Sequence, residues 1–232
     1  MMENRKTKGE KAVQQETTWD FIGEFIRIRN TRVYGLEESI VASSYPMLEN
    51  APEPAMFNEK VRRVGQSEDG DADVKRSEKL GQARPGSGHD CFLKGIIVQA
   101  DFELPQYLWQ QAKRYHWFDF VSSQSTMHRI TRMSVAEHCN AFVDPGIIRI
   151  LEEMVRRYRE ETGEASRAMQ FQRIVANIPS GFLLTARITT SYLQLKTMVR
   201  QRSSHRLSEW KEFQTWCSGL PLFSRLALKS EE

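Results

Sequence analysis

Hydrophobic positions alternate most regularly between Lys94 and Glu103. Ile96, Val98, Ala100 and Phe102 fall on one side there, and Ile97, Gln99, Asp101 and Glu103 on the other. A period of two predicts a strand with one face in the core. Pro105 then opens a stretch of good helix formers, QYLWQQAKRYHWF, on which Gln111, Arg114 and Tyr115 fall within about one turn and can share a face. The polar run VSSQSTMHR that follows reads as a loop.

Downstream the period lengthens. Met133 to Val143 reads as helical, and Asp144-Pro145 forms a cap for the amphipathic helix GIIRILEEMVRRYREETG, which stops at Gly163. A further helix is expected from Ala165 to Ala176, then a strand in FLLTARITT and a helix in SYLQLKTMVRQR. HRLSEWKEFQTWC predicts another helix, with Leu207, Trp210, Phe213 and Trp216 or Cys217 turned inward; the tail LPLFSRLALKSEE fits no single period. Near the N-terminus TTWDFIGEFIRIR fits either an amphipathic helix or a strand through Phe25 to Arg29, and GLEESIVASSYPM a short helix ending before Pro46.

Two segments break the pattern. Residues 1–16 are polar without periodicity and are expected to be disordered. From about 49 to 87 the chain is rich in Pro, Gly and charged residues, which predicts a flexible, solvated insert. Residues 17–232 otherwise read as one helix-rich α+β domain without the glycine-rich loop of a dinucleotide fold.

Composition narrows the chemistry. Lys and Arg number 33 against 30 Asp and Glu, a net charge of +3, so nucleic acid is not an expected partner. The 3 cysteines lie far apart, which suits a reducing cytoplasm and offers neither a disulfide framework nor a zinc site. His116 and His128 have no third ligand nearby in sequence, so no metal is expected. No apolar run reaches membrane-spanning length and no signal core opens the chain, which predicts a soluble cytoplasmic protein.

Candidate chemistry sits in two clusters. The first holds Gln111, Arg114, His116, Ser122, Ser123, Gln124, Ser125, His128 and Arg129, and the second Arg200, Arg202, His205, Arg206 and Glu209. Guanidinium groups grip phosphate in a two-pronged way, and hydroxyls with loop N–H groups complete an oxyanion pocket. An anionic, ring-bearing ligand suits this mixture. Motifs for the common hydrolases and kinases are absent.

The order of these residues resembles the flavin-dependent thymidylate synthases. Gly88-His89 before a strand, Pro105 opening the next helix, and Gln111 three residues ahead of Arg114 stand at that family's spacing without a gap. So do Arg173 in Arg-Ile-Val and Arg200 at the end of its helix, while GLEESIVASSYPM is similar to the family's early Ser-Ile-Val helix. Arg114-Tyr115-His116 stands where the family carries Arg-His-Arg, and Thr189-Thr190-Ser191 where it carries Asn-x-Arg.

The resemblance implies a small, mainly antiparallel sheet, as in thymidylate synthase-complementing proteins. It further implies a methyltransferase acting at C5 of dUMP with FAD, NADPH and methylenetetrahydrofolate, in a homotetramer with sites between subunits. dUMP would be held by Gln111, Arg114, Ser123, Gln124, Ser125, Arg129, Arg173 and Arg200. FAD would be held by Ser44 (or Ser43), His89, Arg114, Tyr115, His116, Thr189 and His205. Arg200, or Arg202 just beyond it, would stabilise charge on the pyrimidine. A protein that holds a nucleotide on the same fold without methyl transfer is the alternative.

Overall fold

The computed structural model describes residues 19–66, 71–84 and 87–228; the expected disordered start, 1–16, lies outside the described residues. In chain order the elements are β1 (Phe21–Ile22), β2 (Arg27–Tyr34), α1 (Leu36–Ala42), α2 (Pro54–Gln66), α3 (Ala72–Gly81), β3 (Ile97–Pro105), α4 (Gln106–Ala112) and β4 (Phe118–Ser123). They continue with α5 (Thr126–Arg129), α6 (Pro145–Glu160), α7 (Glu164–Ala176), β5 (Leu183–Ser191), α8 (Tyr192–Arg202), α9 (Ser208–Gly219) and α10 (Phe223–Ala227). Among the described residues the strands form one five-stranded sheet in the order β1-β2-β3-β5-β4, each neighbouring pair antiparallel. The fold is α+β, as the periodicity and the resemblance lead one to expect.

The alternation in β3 has the consequence it predicts. Val98, Ala100 and Phe102 are each 0% exposed, and Phe102 meets Trp216 and Phe118 edge-on at 5.1 and 5.2 Å. Burying a side chain of that size stabilises by about 1.5–3 kcal/mol. On β5, Ala186, Ile188 and Thr190 repeat the pattern, in register with Phe102, Ala100 and Val98. Helices α8, α9 and α10 close this core with Leu195, Met198, Trp210, Phe213 and Phe223. A second, smaller core lies under α6 and α7, built from Ile130, Val135, Leu151, Val155, Ile174 and Phe182.

Three segments differ from the sequence reading, each for an identifiable reason, and one open choice is settled. The expected flexible insert at 49–87 carries helices α2 and α3. Its polarity reflects narrow apolar stripes on surface helices: Phe57, Val61 and Val64 at helical spacing on α2, and Val74 on α3. Arg63 pairs with Asp71 and Asp73 at 2.6 Å each, and the Asp71 carboxylate caps α3 by accepting from the Asp73 N–H. The two ambiguous N-terminal readings resolve into the hairpin β1–β2. The expected loop after α4 contains β4, an edge strand in which only Phe118 is buried, so no alternation marks it. Residues 133–143 hold only a single 3-10 turn, Ala136–His138, because Cys139 bridges to Phe182 and the Asn140 N–H donates to Gly181 O. A Cβ on Gly181 would sit 2.6 Å from Asn140 Oδ1, so glycine permits that approach.

The turn between β1 and β2 is held from the far end of the chain. The Glu212 carboxylate on α9 accepts from the backbone N–H groups of Glu24, Phe25 and Ile26 at 2.8, 3.0 and 2.9 Å. Charge-assisted bonds to consecutive N–H groups form an anion nest. Glu212→Ala is expected to lower stability by about 2 kcal/mol, read from urea unfolding. A loss below about 0.5 kcal/mol, the range of ordinary surface substitutions, would show that water replaces the carboxylate without cost.

Candidate functional site

The arginine cluster at the end of α8 depends on the way β5 feeds that helix. Ser191 caps α8, its hydroxyl accepting from the Gln194 N–H at 3.4 Å. One face of α8 packs into the core through Tyr192, Leu195, Met198 and Val199. A neighbouring face, with Leu193, Thr197 and Arg200, borders two hollows. The first, of 430 Å³, lies against Ile97, Trp117, Thr189 and Leu193. The second, of 670 Å³, lies against Gly88, Asp90, Lys94, Lys196 and Arg200. Lys94, Leu193 and Thr197 line both, so the hollows form one groove along α8. Its Trp117 end is mainly apolar and its Arg200 end cationic.

Two of the expected site residues, Arg200 and Thr189, line this groove, and two others, His89 and His116, adjoin residues that do. Arg200 is exposed at its cationic end, and its guanidinium makes no hydrogen bond or ion pair among the described residues. Thr189 lines the apolar end. Gly88 lines the larger hollow with φ +80, and His89 beside it is exposed. A Cβ built on Gly88 would meet nothing within 4 Å, so the turn is open to a ligand. His116 is also exposed, its ring 4.7 Å from that of Trp117 and edge-on to it.

A second group of expected residues is committed to one another. Arg202 Nε donates to the Tyr115 hydroxyl at 2.8 Å and Nη1 to Gln111 Oε1 at 3.2 Å. Its guanidinium lies over the Trp210 ring at 4.6 Å and the Tyr115 ring at 5.5 Å. Trp210 Nε1 also donates to Gln111 Oε1, at 3.0 Å. Arg and Trp can only donate, so these two bonds fix the orientation of the Gln111 amide. His205 stands 6.2 Å from Trp210, and its Nδ1 accepts from the Leu207 N–H. Burial, and then the Arg202 charge, lower its pKa from the ordinary value, with Glu209 pulling the other way. The neutral ring that this favours is consistent with Nδ1 acting as an acceptor.

The remaining expected residues lie elsewhere. Arg114 is exposed in the turn after α4, beyond the helical face it was expected to share with Gln111. Ser123 and Gln124 border a third hollow, of 240 Å³. Gln124 extends the sheet edge, its N–H donating to Thr185 O and its Oε1 accepting from the Thr185 N–H, both at 2.9 Å. Ser125 is half-buried at the start of α5, while Arg129 on α5 and Arg173 on α7 are exposed. Ser44 is 7% exposed, and its hydroxyl donates to Val41 O at 2.8 Å. Ser43 is likewise buried, turned toward Ile40 O and Ser77.

Sequence reasoning missed most of the groove's walls. Lys94 reads as the polar start of a strand, and Trp117 either as a wall for a ring system or, as is commoner at such spacing, as a core aromatic. The sequence reading does not single out Lys196 or Asp90, yet they form a buried pair at the floor of the larger hollow. The one available signal was the spacing of Lys196 and Arg200, one helical turn apart on α8. Deeper still, the Tyr107 hydroxyl donates to the buried Glu209 carboxylate and accepts from Asn140 Nδ2 at 3.0 Å. Burial, and then Glu209, push the Tyr107 pKa well up, so this phenol stays protonated. Among the described residues no three His, Cys, Asp or Glu side chains are grouped to hold a metal ion. No helix among them is long and apolar enough to cross a membrane.

The architecture is that of the flavin-dependent thymidylate synthase fold. Two crystal structures of the enzyme ThyX from Helicobacter pylori, both with FAD and dUMP, align with this chain. One gives a TM-score of 0.58 at 12% identity over 89% of this chain and 99% of that one. The other gives 0.55 at 14% identity over 84% and 95%. No protein-family model matches the sequence, and no characterised protein is detectably similar to it in sequence.

Proposed function

We propose that the chain is a divergent flavin-dependent thymidylate synthase-like enzyme. It takes dUMP as substrate and modifies C5 with a one-carbon unit from methylenetetrahydrofolate, using FAD and NADPH, in the cytoplasm. The observation that carries this reading is the unpartnered Arg200 guanidinium at the cationic end of a groove whose other end is apolar. A phosphorylated ring system has the same two-part character.

The residues present fit FAD in kind. Ile97, Trp117 and Leu193 offer a slot for a flat ring, while Lys94 and the open Gly88 turn offer charge and N–H groups for phosphate. When bound, FAD would carry reducing equivalents from NADPH to the one-carbon unit. The protein's own part is placement and electrostatics. Arg200 stabilises negative charge developing on the pyrimidine, a fixed cation needing no reorganisation as the reaction proceeds. Arg129 and Arg173 do not border that groove within one chain, which supports a site completed by a second copy in a homotetramer.

A specific observation favours a second reading, nucleotide binding without turnover. Tyr115 occupies the middle of the motif that is Arg-His-Arg in the family, and its hydroxyl already accepts from Arg202. Titration of the purified protein with dUMP and with FAD separates the two, alongside its visible absorbance. A yellow protein, or a colourless one that binds added FAD, supports the enzyme. A colourless protein that binds dUMP but not FAD supports the binder, and binding of neither sinks both. Arg200→Ala is expected to abolish turnover and weaken dUMP binding at least about tenfold, a cost of roughly 1.4 kcal/mol, without moving the unfolding midpoint. Unchanged activity in that variant would remove Arg200 from the reaction.

A further inference from the structure

Lys196 Nζ lies 2.6 Å from Asp90 Oδ2 and 2.6 Å from Gly81 O, and the two charged side chains are only 4% and 6% exposed. Both line the larger hollow together with Gly88 and Arg200. Lys196 precedes Arg200 by one turn of α8, and Asp90 follows directly on Gly88-His89. The pair therefore ties the connection between α3 and β3 to α8, at the point where these two pieces of chain face each other across the hollow.

A buried ion pair contributes little net cohesion, because the cost of removing both charges from water offsets their attraction. An apolar pair of similar size would hold the two segments together as well. What the ion pair adds is geometry. The lysine must meet one carboxylate oxygen and the Gly81 carbonyl, with the Ala83 carbonyl a third acceptor at 3.5 Å, and each contact has a narrow range of distance and direction. Such supporting contacts hold the residues that touch a ligand within a fraction of an ångström. We propose that Lys196 and Asp90 are positioning residues of the nucleotide groove, setting the Gly88–His89 turn at its working distance from Arg200. This rests on the nucleotide reading above and goes beyond it by naming the residues that set the width of the groove.

The test compares the wild-type chain with the double variant Lys196→Met/Asp90→Leu, which removes both charges together, so that neither is left buried without its counter-ion. FAD and dUMP are titrated separately by calorimetry, and unfolding is followed by circular dichroism. The expected result is a folded variant whose unfolding midpoint stays within a few degrees, with affinity for at least one of the two ligands lowered about tenfold or more. A folded double variant that binds both ligands as the wild type does overturns the proposal and leaves the nucleotide reading standing. Failure of the wild type to bind either ligand overturns that reading, and this proposal with it. Should the double variant not fold, Asp90→Asn decides. It keeps the shape and weakens the clasp, so about tenfold weaker binding at an unchanged midpoint supports positioning, and wild-type binding overturns it.

Discussion

Arg202→Ala will unfold at markedly lower denaturant than the parent chain while keeping its affinity for dUMP, the reverse of Arg200→Ala. Arg202 joins three helices. It donates to Gln111 near the end of α4 and to Tyr115 in the turn that follows, and it covers Trp210 on α9. Its own carbonyl accepts from Gln214 Nε2 at 2.9 Å. Hydrogen bonds to a charged group are each worth about 1.5–3 kcal/mol, and a partly buried cation over an indole adds about 1 kcal/mol. Half-exposure discounts both, leaving an expected loss of about 2–4 kcal/mol. Urea unfolding measures the loss and calorimetry with dUMP the affinity. Parental stability combined with lost binding would hand the charge-stabilising role to Arg202 and take it from Arg200.

Gly81→Ala will be at least as damaging, through backbone rather than charge. A Cβ at this position would lie 2.0 Å from Leu226 O and 3.0 Å from its carbonyl carbon. The obstruction is the main chain of α10, so no rotamer relieves it. Gln82 Nε2 donates to Arg225 O at 2.9 Å and Arg225 pairs with Glu78, so α3 and α10 are bound on both sides of the contact. Separating them withdraws Phe223, Leu226 and Ala227 from the core. Overpacking of this kind costs about 1–3 kcal/mol, and more where the backbone must move. The Gly81 carbonyl also accepts from Lys196, so the variant should loosen the groove as well. A thermal midpoint lowered by less than about 2 °C, which for a chain of this size is about 0.5–1 kcal/mol at most, would mean that α10 yields more easily than its contacts imply.

Much of the scaffold is legible in the sequence because its periodicity is strong. The two central strands, β3 and β5, alternate cleanly, and α6, α8 and α9 announce themselves by spacing and caps. What escapes is what lies at an edge or depends on pairing. β4 buries a single residue, so it carries no alternation to read. The helices at 49–87 hide behind charges that neutralise one another, Arg63 with Asp71 and Asp73. The candidate site divides in the same way. Arg200 can be placed by order along the chain. The grouping of Gln111, Tyr115, Arg202 and Trp210 cannot, since it joins residues 87 to 99 positions apart. Lys196 is the hardest to foresee, because a lysine on a helix normally keeps its charge in water.

The grip of Glu212 on the N–H groups of Glu24, Phe25 and Ile26 spans 186 to 188 residues, and Trp216 Nε1 reaches the carbonyl of Trp19 across 197. The hairpin β1–β2 is thus finished by a helix close to two hundred residues further along the chain. Until α9 packs, the three backbone donors are left to water and the inner face of the sheet is uncovered. Closing so long a loop before its contacts are rewarded slows folding. The hairpin β1–β2 is therefore expected to gain its native hold late in folding, together with α9 rather than ahead of it.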